Sequence, residues 1–149
     1  MKASPGKEEA PMWTTEHSAE TGAEPEAVWR VWSDVERWPE WNADVERAEL
    51  SGPFDAGSTI TMYQRGGDVI ELRIAEARES ERFVDEADLG DVVVRTIHRL
   101  VPLKNDRVKI VYRLEISGPQ ADTLGPQIGP EISADFPQVL SALVDRAEG

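Results

Sequence analysis

The chain has 149 residues, 40% of them hydrophobic, with no cysteine and a formal net charge of -13. A length of this order buries about two-thirds of its unfolded surface, so one domain with a real core is expected. The missing cysteines exclude disulfides, thiolate zinc sites and cysteine nucleophiles, and the absence of any apolar run of about 18 residues excludes a spanning helix. The acidic balance argues against nucleic acid and anionic lipid surfaces as partners, because both need clustered Lys and Arg.

Met1 to Met12 is rich in Lys, Glu, Pro and small residues and reads as a disordered tail without an apolar signal segment. The folded domain is expected over residues 13–149, in a cytoplasmic protein. Trp13 to Thr21 reads as a strand. Pro25 suits the first position of a helix, and Val28, Val31, Trp32 and Val35 form one apolar helical face. Pro39 interrupts that pattern, so a second short helix or turn spans Val35 to Trp41.

Six strands are expected next: Asp44–Leu50, Ser58–Gln64, Val69–Glu76, Arg82–Asp88, Val92–Leu100 and Arg107–Ser117. Gly66-Gly67 and Gly90-Asp91 mark hairpins. In the last strand Val108, Ile110, Tyr112, Leu114 and Ile116 point one way while Lys109, Arg113 and Glu115 point the other, the pattern of a sheet with one wet face. Ile132, Phe136, Val139, Leu140, Leu143 and Val144 then recur at helical spacing. They predict a long terminal helix that Pro130 can start and Pro137 kinks, with an irregular lead-in at Gly125-Pro126 and Gly129-Pro130. Strands grouped apart from helices mean an α+β fold.

The stretch Glu26-Ala27-Val28-Trp29 through Ser33-Asp34-Val35-Glu36-Arg37-Trp38-Pro39-Glu40-Trp41 resembles the START-like superfamily (SRPBCC), and within it the bacterial polyketide cyclase/dehydrase group. Leu50-Ser51-Gly52-Pro53, Gly57-Ser58 and Ser117-Gly118-Pro119 fit the same pattern, over roughly Thr14 to Glu148. The resemblance implies a helix-grip fold, a seven-stranded antiparallel curved sheet wrapped around a long C-terminal helix with two short helices after the first strand. It also implies a cavity between sheet and helix. Members include polyketide cyclases and aromatases, lipid and quinone carriers, hormone receptors and co-chaperones. Two features depart from the family: Pro126, Pro130 and Pro137 fall in a helix that is usually more continuous, and Asp85 stands where an apolar or aromatic residue is common.

Hairpin geometry assigns faces. A two-residue Gly90-Asp91 turn sets Asp85 opposite Thr96 and Phe83 opposite His98. Phe83, Asp85, Val94, Thr96 and His98 then share a face that the apolar members mark as inner, and Tyr112 on the next strand lies beside Thr96 and His98. A slip of one residue would reverse this. His98 is the candidate general acid/base with a pKa near neutral, Asp85 its orienting group or proton acceptor, and Tyr112 a phenol donating to a ligand carbonyl. The competing readings are a histidine bonded within the sheet, an exposed acidic residue and a core tyrosine. At the other hairpin, apolar matching favours a three-residue loop, Arg65-Gly66-Gly67. This loop sets Ile60, Met62 and Gln64 on one face with Ile70, Leu72 and Ile74, leaving Tyr63 outside.

Trp32, Trp41, Ile60, Met62, Ile70, Leu72, Phe83, Val94, Thr96, Leu114, Ile132 and Phe136 are the candidate ligand-contacting residues, with Trp38 and Trp41 shaping the mouth. No metal site or cofactor is expected: His17 and His98 lack a ligand-spacing motif, and no Gly-rich loop leads into a Lys-bearing helix. The expected function is binding of a hydrophobic small molecule, such as a polyketide-like aromatic or a lipid. The alternatives are a cyclase, aromatase or dehydratase acting through His98, Asp85 and Tyr112, and a co-chaperone-like or toxin-like protein-interaction domain. The oligomeric state is open.

Overall fold

The computed structural model describes residues 12–149. The tail expected over Met1–Met12 lies outside the described residues, except that Met12 itself opens the first strand.

Alternation of apolar and polar residues produces seven strands: β1 (Met12–Thr21), β2 (Val45–Ser51), β3 (Thr59–Gln64), β4 (Val69–Arg78), β5 (Arg82–Asp88), β6 (Val93–Pro102) and β7 (Val108–Ser117). They form one antiparallel sheet in the order β1-β7-β6-β5-β4-β3-β2. Only the β1–β7 pairing joins strands distant in the chain, and the rest is a meander. Bulges at Val45/Arg47 and Ile74/Glu76 bend β2 and β4, which curves the sheet.

The registers follow from the turns. The amide of Leu89 donates to the carbonyl of Val92 at 2.9 Å across Gly90-Asp91, so Phe83 pairs with His98 and Asp85 with Thr96. His98 in turn pairs with Tyr112. The amide of Gln64 donates to the carbonyl of Asp68 at 2.8 Å, which leaves the three-residue loop Arg65-Gly66-Gly67. Both of its glycines have positive φ, 105° and 104°, a conformation L side chains resist.

Helix α1 (Pro25–Ser33) starts on Pro25 and buries Val28 and Trp32. A 3-10 segment, Val35–Glu40, follows and buries Val35 and Trp38. The Trp38 indole N–H donates to the carbonyl of Trp32 at 3.0 Å and ties the two helices together.

The long C-terminal helical region is present, from Ala121 to Glu148, and departs from expectation in its start and its break. The segment read as an irregular lead-in is helical from Ala121, and the helix is two: α2 (Ala121–Ser133) and α3 (Phe136–Glu148). Pro137 does not kink a helix interior; it lies in the first turn of α3. Its ring would collide with the carbonyl four residues back, that of Ser133, and α2 ends on that residue. Two prolines and two glycines give α2 poor intrinsic propensity. Packing compensates: Gly125 and Gly129, one turn apart, form a groove filled by the indole of Trp13 on β1, and a Cβ at either glycine would overlap that ring. Helix α3 packs on β1 and α1, and its end is anchored where the Thr21 hydroxyl and the Gly22 amide donate to the Glu148 carboxylate at 2.6 and 3.2 Å. No helix among the described residues is long and apolar enough to cross a membrane.

Candidate functional site

The curved sheet, the 3-10 segment and the α2–α3 junction enclose a cavity of about 650 Å³. Its walls are largely apolar, among them Trp32, Met62, Ile70, Leu72, Phe83 and Phe136. Asp85, Thr96, His98 and Tyr112 bring polar atoms into this lining.

These four arise from strand alternation on β5, β6 and β7, and the pairings Asp85–Thr96 and His98–Tyr112 set them side by side. The His98 ring stacks on Phe83 with centroids 3.9 Å apart and planes 4° from parallel. Its Nδ1 lies 3.2 Å from the Phe83 carbonyl oxygen. A carbonyl only accepts, so Nδ1 carries the proton and Nε2 is left with its lone pair. That lone pair faces Asp85, whose Oδ2 is 4.0 Å away, too far for a direct hydrogen bond. Tyr112 is held by Trp32, whose indole N–H donates to its hydroxyl oxygen at 3.1 Å. The phenol keeps its own proton to donate.

Burial sets the protonation of all three groups. It pushes the Asp85 carboxyl up from 3.8 to about 7, with the neighbouring Glu86 charge adding to the rise. It pushes His98 down from 6.5 to about 3, partly offset by the bond to Phe83. It raises the Tyr112 phenol above its ordinary range, against the Trp32 hydrogen bond that favours the phenolate. The expectation of a near-neutral histidine is therefore corrected. His98 is neutral because its cationic form would be desolvated with no paired anion in hydrogen-bonding reach, and Asp85 is the group that titrates near neutrality.

Of the residues expected to contact a ligand, Trp32, Trp41, Met62, Ile70, Leu72, Phe83, Val94, Thr96, Ile132 and Phe136 line the cavity. Ile60 and Leu114 do not: both are fully buried in the surrounding core, Ile60 between Leu50 and Leu72, and Leu114 on the strand against which α2 packs. Tyr63 lies on the outer side, its hydroxyl donating to Glu49 at 3.4 Å and its ring under Arg47 at 4.1 Å. Sequence reading missed Ala87, which continues the Phe83–Asp85 alternation and could have been found by it. It also missed Asn42, Asp44, Arg65 and Asp68, loop residues without periodicity that only the tertiary arrangement brings to the mouth. The mouth also includes Trp41, whose indole N–H is buried without a hydrogen-bond partner among the described residues. No group of three metal-binding side chains occurs among the described residues.

Comparison with curated proteins finds no matching sequence. Solved structures of the same architecture are numerous. Norcoclaurine synthase of Thalictrum flavum superposes with a TM-score of 0.72 at 16% identity, covering 96% of this chain and all of that one. A START superfamily protein of Mycobacterium smegmatis gives 0.69 at 16% identity, over 91% and 97% of the two chains. The di-domain aromatase/cyclase BexL of the BE-7585A biosynthetic pathway gives 0.76 at 14% identity, over 93% of this chain and 51% of that one. These likenesses establish the helix-grip fold. Residues 21–139 match the family described as polyketide cyclase / dehydrase and lipid transport, and the chain belongs to that family.

Proposed function

We propose that this protein binds a hydrophobic small molecule in the cavity, with the ligand's polar group against Asp85, His98 and Tyr112. The observation that carries the reading is the cavity itself: about 650 Å³ bounded by aromatic and aliphatic side chains, with a few converging polar atoms. The family's description, spanning polyketide cyclases and lipid transport, supports the same class of ligand. A filled interior without a cavity would instead favour a protein-interaction role. A cytoplasmic location is part of the proposal, supported by the cysteine-free composition.

Asp85 favours a second reading, catalysis of a cyclisation, aromatisation or dehydration. A carboxyl poised near neutrality can both donate and accept a proton, Tyr112 can polarise a carbonyl, and the Nε2 lone pair of His98, 4.0 Å from Asp85, offers a further acceptor to a ligand seated between them. Orientation of a flexible substrate within the cavity would supply much of the rate.

Native mass spectrometry of freshly purified protein tests the first reading. A co-purified polyketide or lipid, absent from a Leu72→Trp variant that fills the cavity, is the expected result. An interior that stays empty, and no stabilisation by any aromatic or aliphatic compound, would overturn it. For the second reading, His98→Ala is expected to lose turnover while keeping affinity, and unchanged turnover removes His98 from catalysis.

A further inference from the structure

The charges around the cavity narrow the ligand class. The lining includes four carboxylates at its outer margin, Asp44, Asp68, Glu131 and Asp135, against one cation, Arg65. Arg65 is turned toward the backbone, its Nε donating to the carbonyl of Ala43 at 2.7 Å. None of the four carboxylates forms an ion pair with a described residue, whereas elsewhere arginines pair extensively, as around Glu86 and Glu115.

A second observation lies deeper in the same cavity. The Asp85 side chain is 7% exposed, faces the cavity, and makes no hydrogen bond to any described residue. The Nε2 of neutral His98 lies 4.0 Å from it. Buried carboxylates are ordinarily paired or hydrogen-bonded, and an unpaired one costs free energy. The cavity thus holds a buried carboxyl group with no cation to favour its ionised form, behind a mouth that attracts cations and repels anions.

Resting on the cavity-ligand reading above, we infer that the ligand is a hydrophobic amine, its ammonium group supplying the counter-ion that Asp85 lacks. The mouth carboxylates draw the cation in, the aromatic walls take up the hydrocarbon, and the ammonium reaches Asp85 with Nε2 of His98 as a further acceptor. Fatty acids and other hydrophobic carboxylates are disfavoured twice, by repulsion at the mouth and by the lack of any cation beside Asp85 to balance a buried carboxylate. Among lipid-like and aromatic ligands that fit by shape, charge makes the choice.

A matched series tests this: 4-phenylbutylamine, 4-phenylbutanol and 4-phenylbutanoate share a skeleton and differ in charge. Titration of the full chain by calorimetry, with tryptophan fluorescence as a second signal, is expected to rank the amine first and the carboxylate last. Asp85→Asn is expected to weaken the amine about tenfold or more while changing the alcohol little. Glu131→Lys at the exposed margin weakens the amine a few-fold and relieves the carboxylate. Binding of the alcohol or carboxylate at least as tight as the amine overturns the inference and leaves the cavity-ligand reading standing. An amine preference that survives Asp85→Asn also overturns it. If none of the three binds and no molecule co-purifies, the cavity-ligand reading falls, and this inference with it.

Discussion

Asp85 and Glu86 are neighbours in the chain, carry the same functional group, and live in opposite worlds. Glu86 points to the outer face of the sheet, where Arg95 lies at 2.9 Å and Arg73 at 3.5 Å, at the centre of a ladder that continues through Glu115 to Arg113. Asp85 points inward among Phe83, His98 and Tyr112, with no cation among the described residues. The strand's period of two is the whole cause. The contrast teaches that a chain of net charge -13 places its pairs on the surface, where each contributes little. It leaves the one deeply buried carboxyl among the described residues unpaired, where the free-energy consequence is large.

The largest expected effects are those that break the inner side of this contrast by pH. Asp85 holds its proton in the folded state up to about pH 7, while the unfolded chain releases it near 3.8. Its contribution therefore falls as pH rises through that window, by on the order of 4 kcal/mol. His98 has the opposite sign: the unfolded chain takes up a proton near 6.5, and the folded state resists until about 3. Its contribution is lost as pH falls through that window, by a similar amount. Between about pH 4 and 6.5 the two slopes oppose and nearly cancel. Urea unfolding should show that Asp85→Asn makes stability rise more steeply with pH over this range than in the wild type, and that His98→Gln makes it fall. Parallel pH profiles in all three proteins would contradict the assignment.

Next in size is Tyr112→Phe, which strands the buried Trp32 indole N–H at its 3.1 Å contact. A loss of about 1–3 kcal/mol is expected in chemical denaturation. A change below about 0.5 kcal/mol would mean that the indole finds another acceptor. The smallest is Glu86→Gln on the outer ladder, which should cost less than about 1 kcal/mol and shrink further in high salt, since these side chains are screened by water. A larger, salt-insensitive loss would show that the outer ladder is more than a set of surface pairs.

Much of this contrast is legible in the sequence. The Gly90-Asp91 turn determines the pairing of Phe83 with His98, and Arg65-Gly66-Gly67 determines that Met62 joins Ile70 inside while Tyr63 stays outside. A short turn leaves few registers open, and apolar matching selects among them. What was illegible depends on contacts between distant segments. Helix α2 contradicts its own propensities because Trp13, more than a hundred residues earlier, fills the Gly125–Gly129 groove. Ile60 and Leu114 have the same alternation as Met62 and Tyr112 and still miss the cavity, because alternation gives a face and not a depth.

The sequence by itself determined the seven strands, the short helices after β1, which faces are dry, and the grouping of Asp85, Thr96, His98 and Tyr112. All of these follow from local periodicity and turn chemistry. Only the tertiary structure decided that a cavity remains under α2 and α3, that the loop carboxylates gather at its mouth, and that Asp85 rather than His98 titrates near neutrality. Solvation and charge balance are properties of everything within a few ångströms of a group, and the chain order records only its neighbours along the backbone.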